Sequence, residues 1–451
     1  MIITSKRSFD NHIFKIDFLY KYCRIFRVEK GVLMDKDIRV VELFAGVGGF
    51  RLGLEKASSR YKTVMANQWE PAKKKQVAGE CYAYNFDYQQ VGDDKEEYHK
   101  GESILWVRDI NELTDKMKKG DKKAVPEHDL LVGGFPCQDY SVAKPNTQSH
   151  GLQGKKGVLW WNIYDILKEK RPKAVFLENV DRLLKSPSKQ RGRDFAVILS
   201  TMSDLGYTVE WQVVNAADYG FPQRRRRVFI VGLLEDNSLL EDKFKKGIIG
   251  ETLPFTYEEM IQGNIEGNPW EITENFNKDG GDSPFSNRGV LRNREYITGA
   301  VKSIYNGKKS VLGELLEPLS DVPDDFITDP ARWKYTKGAK DEERIKSDGF
   351  RYRYKEGAVP FPDSLDKPAR TILTSEGGSS PSRTTHCILQ DGKYRRLTPK
   401  ELERLNGFPD DWTKNMNKEE ETTNTMRGFL MGNALVIGVI EKIGEALEKR
   451  L

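Results

Sequence analysis

The chain has 451 residues, 38% of them hydrophobic and 31% charged, with a formal net charge of +5. That length suits roughly two or three domains, and no apolar run is long enough to cross a bilayer. The opening MIITSKRSFDNHIFKIDFLYKYCRIFRVEK mixes charge and apolar residues too finely for a secretory signal. The four cysteines, Cys23, Cys81, Cys137 and Cys387, contain no C-x-x-C pair, so neither a disulfide framework nor a zinc or other metal site is indicated, and a cytoplasmic location is expected.

In chain order, residues 1–34 are expected to be an N-terminal extension, its first 33 residues dispensable for activity and Met34 the native start; the alternative is a short accessory helix, FKIDFLYKYCRIF. IRVVELFAG (38–46) predicts a buried strand entering a glycine-rich turn, and GFRLGLEKA the helix that follows. YKTVMANQWEP (61–71) predicts a second strand stopped by Pro71, and VRDI a third ending at Asp109. HDLLVGGFP and PKAVFLENV (172–180) predict two more, with the helix LWWNIYDILKEK between them. Strand alternating with helix predicts a parallel, doubly wound sheet. YTVEWQVVNA and RRVFIVGLL follow without an intervening helix, which predicts an antiparallel hairpin closing the sheet. The expected fold is thus α/β, Rossmann-like, with a mixed sheet over residues 35–235. Residues 236–390, rich in Gly, Asn, Asp, Ser and Lys, predict a smaller, loop-rich second domain. Order returns over 391–451: Thr398, Pro399 and Glu401 form a capping box, and the helix NALVIGVIEKIGEALEKRL is expected to pack back on the first domain.

Chemistry concentrates at the predicted carboxyl ends of strands, where open α/β sheets bind ligands. In ELFAGVGGF, a dinucleotide fingerprint starting at Gly46 and Gly48 needs glycine at 51, where Arg51 stands. The turn Gly46-x-Gly48-Gly49, with Phe44 before it, suits a nucleoside cofactor without a pyrophosphate, such as S-adenosylmethionine. The plain alternative is a tight strand–helix turn. In NQWEP, Trp69 is placed to lie on an adenine, and Gln68 or Glu70 to reach a ribose. Asp109 is either an adenine ligand or a helix cap. Cys137, in GGFPCQDYS, follows a strand and precedes polar residues, unlike an ordinary buried thiol. Glu178 ends the next strand, where partial desolvation suits proton donation. A thiol, an acid and a methyl donor suggest one reaction. The thiolate adds to C6 of a cytosine held at N3, which makes C5 nucleophilic.

The ordered series LFAGVGGFRLGL, NQWEP, RDI, GGFPCQDYS, GVLWW, FLENV, DYGFPQRRRR, RRLTPKELERLNGFPDDW and MGNALV resembles the DNA (cytosine-5)-methyltransferases of bacterial restriction-modification systems. The resemblance spans roughly residues 38–235 and 390–451. It implies Cys137 as nucleophile and Glu178 as the group engaging N3, with Arg225 and Arg227 as further catalytic residues. It implies Gln138, Ser141, Asn179 and Gln223 at the substrate. It implies a cofactor pocket of Phe44, Ala45, Gly46, Val47, Gly48, Gly49, Gln68, Trp69, Asp109, Ile110, Pro136, Leu159, Asn433, Ala434 and Leu435. Asn433 is placed in the C-terminal helix. The chain departs from the family at Gln68, where a glutamate usually holds the ribose, so Gln68 and Glu70 both remain candidates. CQDYSVAKPNTQSHGLQGKKGVLWW matches the family's mobile catalytic loop, with Gly151, Gly154 and Gly157 as hinges and Lys155 and Lys156 for phosphate. Residues 236–390 fall where the family has its target-recognition domain, with RYRYKEG (351–357) and TSEGGSSPSRTTH (374–386) as candidate contact loops.

Double-stranded DNA is the implied partner, its target cytosine flipped out of the helix. A monomer is expected, and the resemblance leaves room for a cognate restriction endonuclease acting on the same site. The alternatives are an RNA cytosine-5 methyltransferase, a non-catalytic DNA-binding regulator and, less well matched, a nicotinamide oxidoreductase.

Overall fold

The first strand, β1 (Ile38–Leu43), is buried almost throughout because IRVVEL offers apolar side chains to both faces of a sheet. In this computed structural model, which describes residues 36–71, 73–92, 94–136 and 159–451, it is followed by α1 (Gly49–Ala57) and β2 (Tyr61–Asn67). Then come α2 (Val77–Asn85), the strands β3 (Gln89–Val91), β4 (Asp94–Lys100) and β5 (Ser103–Trp106), and α3 (Ile110–Lys118). The remaining elements of this half are β6 (Leu130–Gly134), α4 (Leu159–Lys170), β7 (Ala174–Val180), α5 (Arg193–Asp204), β8 (Tyr207–Asn215) and β9 (Arg226–Leu234). Residues 1–35, which include the expected extension and Cys23, and residues 137–158, which include Cys137, Gln138, Ser141 and the catalytic-loop glycines and lysines, lie outside the described residues.

β1 pairs in parallel with β2 on one side and β6 on the other; β2 continues to β5 and β6 to β7, all parallel. The chain therefore reverses its direction of travel across the sheet at β1, and the crevice beyond the carboxyl ends of β1 and β6 is the topological switch point where such sheets take ligands. Alternate strand residues feed two cores. Val40, Leu130, Val132 and Phe176 face α1, while Val41, Leu43, Leu131, Val175 and Leu177 face α4 and α5.

The hairpin of β8 and β9 is antiparallel, and β9 also runs antiparallel to β7. It does not end the sheet. The stretch after residue 235 supplies β10 (Phe255–Tyr257), β11 (Ile261–Asn264), β12 (Arg288–Arg292), β13 (Glu295–Gly299) and β14 (Val301–Ser303). β12 pairs with β8, β13 with β12 and β11 with β13, each antiparallel. At the opposite edge, β4 and β3 add two antiparallel strands beyond β5. Among the described residues the sheet has twelve strands, in the order β11-β13-β12-β8-β9-β7-β6-β1-β2-β5-β4-β3. The seam is tied by Arg288, fully buried, whose guanidinium reaches Glu210, Gln212 and the carbonyls of Phe244 and Lys243.

Further on, β15 (Lys340–Ile345) and β16 (Arg351–Glu356) form a separate two-stranded ribbon, and Ile388–Gln390 pairs with Lys393–Arg395. The C-terminal part contains α6 (Pro399–Asn406), α7 (Asn424–Asn433) and α8 (Ile437–Glu448). α6 begins with the expected capping box of Thr398 and Glu401. The expected single C-terminal helix is two: Asn433 ends α7, and α8 starts four residues later. α8 does return to the first half of the chain. The Tyr61 hydroxyl donates to the Gly444 carbonyl at 2.8 Å and the Ser58 hydroxyl to Glu448 at 2.6 Å. Among the described residues, no helix is long and apolar enough to cross a membrane.

Candidate active site

The turn after β1 is held in a backbone conformation that L side chains resist. Phe44 has φ +54°, Gly46 +56° and Gly48 +89°. Gly48 cannot carry a side chain, because a Cβ there would lie 2.3 Å from the Phe86 ring. At Gly46 a Cβ would meet nothing within 4 Å, so the backbone faces open space there. The turn is gripped on several sides. The Ala45 amide donates to the Asn67 carbonyl at 2.9 Å, and the Gly46 amide to the Gln68 side-chain oxygen at 2.7 Å. Trp412 donates from Nε1 to the Val47 carbonyl at 2.8 Å, and Leu435 lies 3.0 Å from where a Gly49 Cβ would stand.

Behind the turn lies a cluster the sequence did not reveal. Glu42 is fully buried in β1 and accepts hydrogen bonds from the Tyr82 hydroxyl at 2.9 Å and the Arg51 amide at 3.4 Å. Burial pushes its carboxyl up from 4.5 to about 7, against the opposing pull of Tyr82 and Arg51. The Arg51 guanidinium sits 4.0 Å over the Phe86 ring and pairs with Glu55 at 2.7 Å. The residue that breaks the dinucleotide pattern is thus packed behind the turn, between Phe86 and Glu55.

At the end of β2, Gln68 is buried and its acceptor oxygen is committed to Gly46. Trp69 is 36% exposed, open to stacking by a ligand. Glu70 is half-buried, its backbone clasped by Gln76 through both the amide and the carbonyl. Its carboxylate has no hydrogen-bond or ion-pair partner among the described residues, and desolvation raises its pKa while Lys73 opposes the rise. Asn67 donates to the carbonyls of Trp106 and Arg108, fixing the end of β5. Asp109 follows that strand as the N-cap of α3, accepting from the amide and the side chain of Asn111. Ile110 is buried in an apolar cluster against which Phe44 and Leu159 also pack. Asn433 is exposed at the end of α7, followed by half-buried Ala434.

On the other side of the switch point, Gly134 pairs in register with Glu178. A Cβ on Gly134 would stand 3.3 Å from a Glu178 carboxylate oxygen, so its lack of a side chain leaves that carboxylate room. Glu178 pairs with Arg227 Nε at 2.8 Å, and Arg227 also donates to the Arg226 carbonyl at 2.7 Å. Asn179, buried beside it, donates to the Phe135 carbonyl at 2.8 Å and accepts from the Val180 amide. It thereby pins the segment that runs through exposed Pro136 toward Cys137.

Gln223 and Arg225 are placed differently from Arg227. Gln223 is fully buried and bridges the Asn406 side chain and the Ile372 amide. Arg225 donates to the carbonyls of Ile372 at 3.1 Å and Gly432 at 3.0 Å, and burial lowers its pKa to about 9. Both side chains fasten β9 to the C-terminal part of the chain. The two described cysteines, Cys81 and Cys387, are buried and free, with thiols pushed up to about 12 by desolvation.

A glycine turn open to a ligand at Gly46, with no room for a pyrophosphate fingerprint at Arg51, is the character of S-adenosylmethionine-dependent methyltransferases. Within that class the chain belongs to the C-5 cytosine-specific DNA methylase family, whose model matches residues 38–449. It is 45% identical over 430 residues to the type II methyltransferase M.Sau3AI of Staphylococcus aureus, covering 91% of this chain and 96% of that one. It is 27% identical over 406 residues to M.HhaI of Haemophilus parahaemolyticus, covering 90% and 93%. In fold it is similar to the S. pombe Dnmt2 methyltransferase, with a TM-score of 0.54 at 15% identity over 92% of this chain and 99% of that structure. The chain is therefore an enzyme that methylates C5 of cytosine in DNA with S-adenosylmethionine as cofactor.

Proposed function

We propose that Cys137 is the nucleophile of this methyl transfer and that Glu178, held by Arg227, engages N3 and the amino group of a cytosine flipped out of duplex DNA. The observation that carries this reading is the pairing of Gly134 with Glu178 across β6 and β7. Cys137 follows Gly134 by three residues, so thiol and carboxylate issue from neighbouring strand ends. The Cys137 thiolate adds to C6 while Glu178, acting as an acid, passes its proton to N3, which takes up the electron pair displaced through the ring. C5 is then an enamine-type nucleophile. When bound, S-adenosylmethionine supplies a methyl group made electrophilic by a sulfonium. A base takes the C5 hydrogen as a proton, the electron pair expels the sulfur from C6, and N3 returns its proton to Glu178, which regenerates the thiolate, the acid and the aromatic ring.

For the cofactor, the open turn Phe44–Gly49, exposed Trp69 and the apolar group of Ile110 and Leu159 fit a nucleoside. Glu70, a half-buried carboxylate without a partner, is better placed than the committed oxygen of Gln68 to accept from ribose hydroxyls. Asn179 and Gln223 act as positioning residues, and Arg225 acts through the backbone it clamps. Residues 236–390 choose the DNA site. The enzyme works as a cytoplasmic monomer and protects DNA from a cognate endonuclease of the same specificity.

The test is to incubate purified protein with S-adenosylmethionine and mixed-sequence duplex DNA, then map methylated cytosines by bisulfite sequencing. One sequence context should be methylated, C137A should methylate none, and E178Q should be slowed severely. Methylation by C137A at the wild-type rate overturns the assignment, and methylation of transfer RNA in preference to duplex DNA overturns the substrate.

A further inference from the structure

The ribbon β15–β16 stands apart from the main sheet and, among the described residues, pairs only with itself. Two isolated strands are marginally stable in water, so something must hold this pair. At its base, Arg383 donates to the carbonyls of Thr336 and Gly338, at 3.1 Å each, just before β15. It also donates to the Gly357 carbonyl and pairs with Glu356 at 2.7 Å, at the end of β16. One guanidinium thus grips both feet of the ribbon. The tip is equally defined: the Lys346 amide donates to the Phe350 carbonyl at 2.9 Å, and Asp348 accepts from the Phe350 amide at 3.0 Å.

Charge is sorted along the ribbon. Asp341, near the feet, pairs with both Arg353 and Lys355, and Glu342 pairs with Arg344, one register step from the outer end. At the outer end Arg351 is exposed and has no ion-pair partner among the described residues. It is flanked by Ile345, 62% exposed, and Phe350, 59% exposed. Lys346 lies 5.3 Å over the Phe350 ring. A two-stranded ribbon fits the major groove, where arginine pairs in bidentate fashion with guanine and apolar groups meet the thymine methyl. The base of the ribbon connects to the catalytic strands. Gly377, in the segment bearing Arg383, packs against Gly428 of α7, and the Gly432 carbonyl at the end of α7 accepts from Arg225.

We propose that β15–β16 is the element that enters the major groove of the substrate, with Arg351 at its tip reading a guanine edge and Arg383 as the positioning residue that sets the ribbon's angle. This rests on the reading of residues 236–390 as the part that selects the DNA site. The test uses the full chain and its R351A, R351K and R383A variants, assayed for kcat and KM on duplex DNA, with methylated contexts mapped in a mixed-sequence pool. S-adenosylmethionine binding and melting temperature serve as folding controls. R351A should lower kcat/KM on the preferred site about 10- to 100-fold and lose discrimination at one base pair, with R351K recovering part of it. R383A should raise KM for DNA and blur the same position while cofactor affinity stays unchanged. Should R383A fail to fold, R351A, altered only at an exposed tip, decides alone. An R351A enzyme with the wild-type KM and site profile overturns the inference while leaving the methyltransferase reading intact. An intact chain that methylates no DNA overturns both.

Discussion

Replacing Glu42 with glutamine is expected to remove a pH dependence from the stability of this protein. Glu42 is 1% exposed in the middle of the sheet. Its carboxyl is moved by burial from 4.5 to about 7, although the Tyr82 hydroxyl and Arg51 favour its charge. The folded state therefore keeps a proton that the unfolded chain releases. The stability this proton brings is fully present below about pH 4.5 and is lost as the pH rises through about 7. At ~1.4 kcal/mol per pKa unit, the full effect is roughly 3 kcal/mol. Glutamine has the same shape and no charge to bury; its oxygen can accept from the Arg51 amide, and the Tyr82 hydroxyl can turn to accept from its nitrogen. E42Q should match the wild type near pH 4.5 and become more stable as the pH rises, by up to roughly 3 kcal/mol near pH 8. Urea unfolding at several pH values in that range measures the difference. A difference that stays flat, or one that grows as the pH falls, refutes the reasoning.

Glu70→Gln should weaken S-adenosylmethionine binding about fivefold by calorimetry, the difference between a charged and a neutral acceptor. Because burial raises the Glu70 pKa, wild-type affinity should fall on acidification at a higher pH than for an ordinary carboxylate, and E70Q should lack this fall. Gly48→Ala should destabilise the fold by roughly 2–4 kcal/mol, combining left-handed strain with overpacking against Phe86, read as a lower melting temperature. Gly46→Ala, which points into open space, should instead lose cofactor affinity more than stability. Grafting residues 236–390 from a relative with a different site should transfer that site, as bisulfite sequencing of the product DNA will show; an active chimera that keeps the original site contradicts the assignment.

The parallel half of the sheet was legible because β6 and β7 open as unbroken apolar runs that lead into glycine or a carboxylate, and β1 is apolar but for Arg39 and Glu42; buried parallel strands demand such patterns. The extension through β12 and β13 was not. Its two-residue connection is Asn293-Arg294, both with positive φ, and without the usual glycine it gives a weak turn signal. β4, rich in charge at an edge, hid for a similar reason: edge strands need little apolar surface. Glu178, Asn179 and Arg227 were readable because they fall at strand ends and strand starts that the motifs mark. Gln223 and Arg225 belong to the same motif, yet their partners lie at Ile372, Asn406 and Gly432. Contacts that distant in the chain leave no local pattern. The same holds for Trp412 on the Val47 carbonyl and for Glu42 among Tyr82 and Arg51.

The central claim, a covalent bond from Cys137 to the target base, is tested most directly with duplex DNA carrying 5-fluorocytosine at the methylated position. Fluorine at C5 cannot leave as a proton, so the enzyme that has added sulfur to C6 and received a methyl group on C5 has no route to release. Denaturing electrophoresis and mass spectrometry should show a protein–DNA adduct attached at Cys137, formed only in the presence of S-adenosylmethionine and absent from C137A. An adduct-free reaction by an active wild-type enzyme, or an adduct that persists in C137A, contradicts the mechanism.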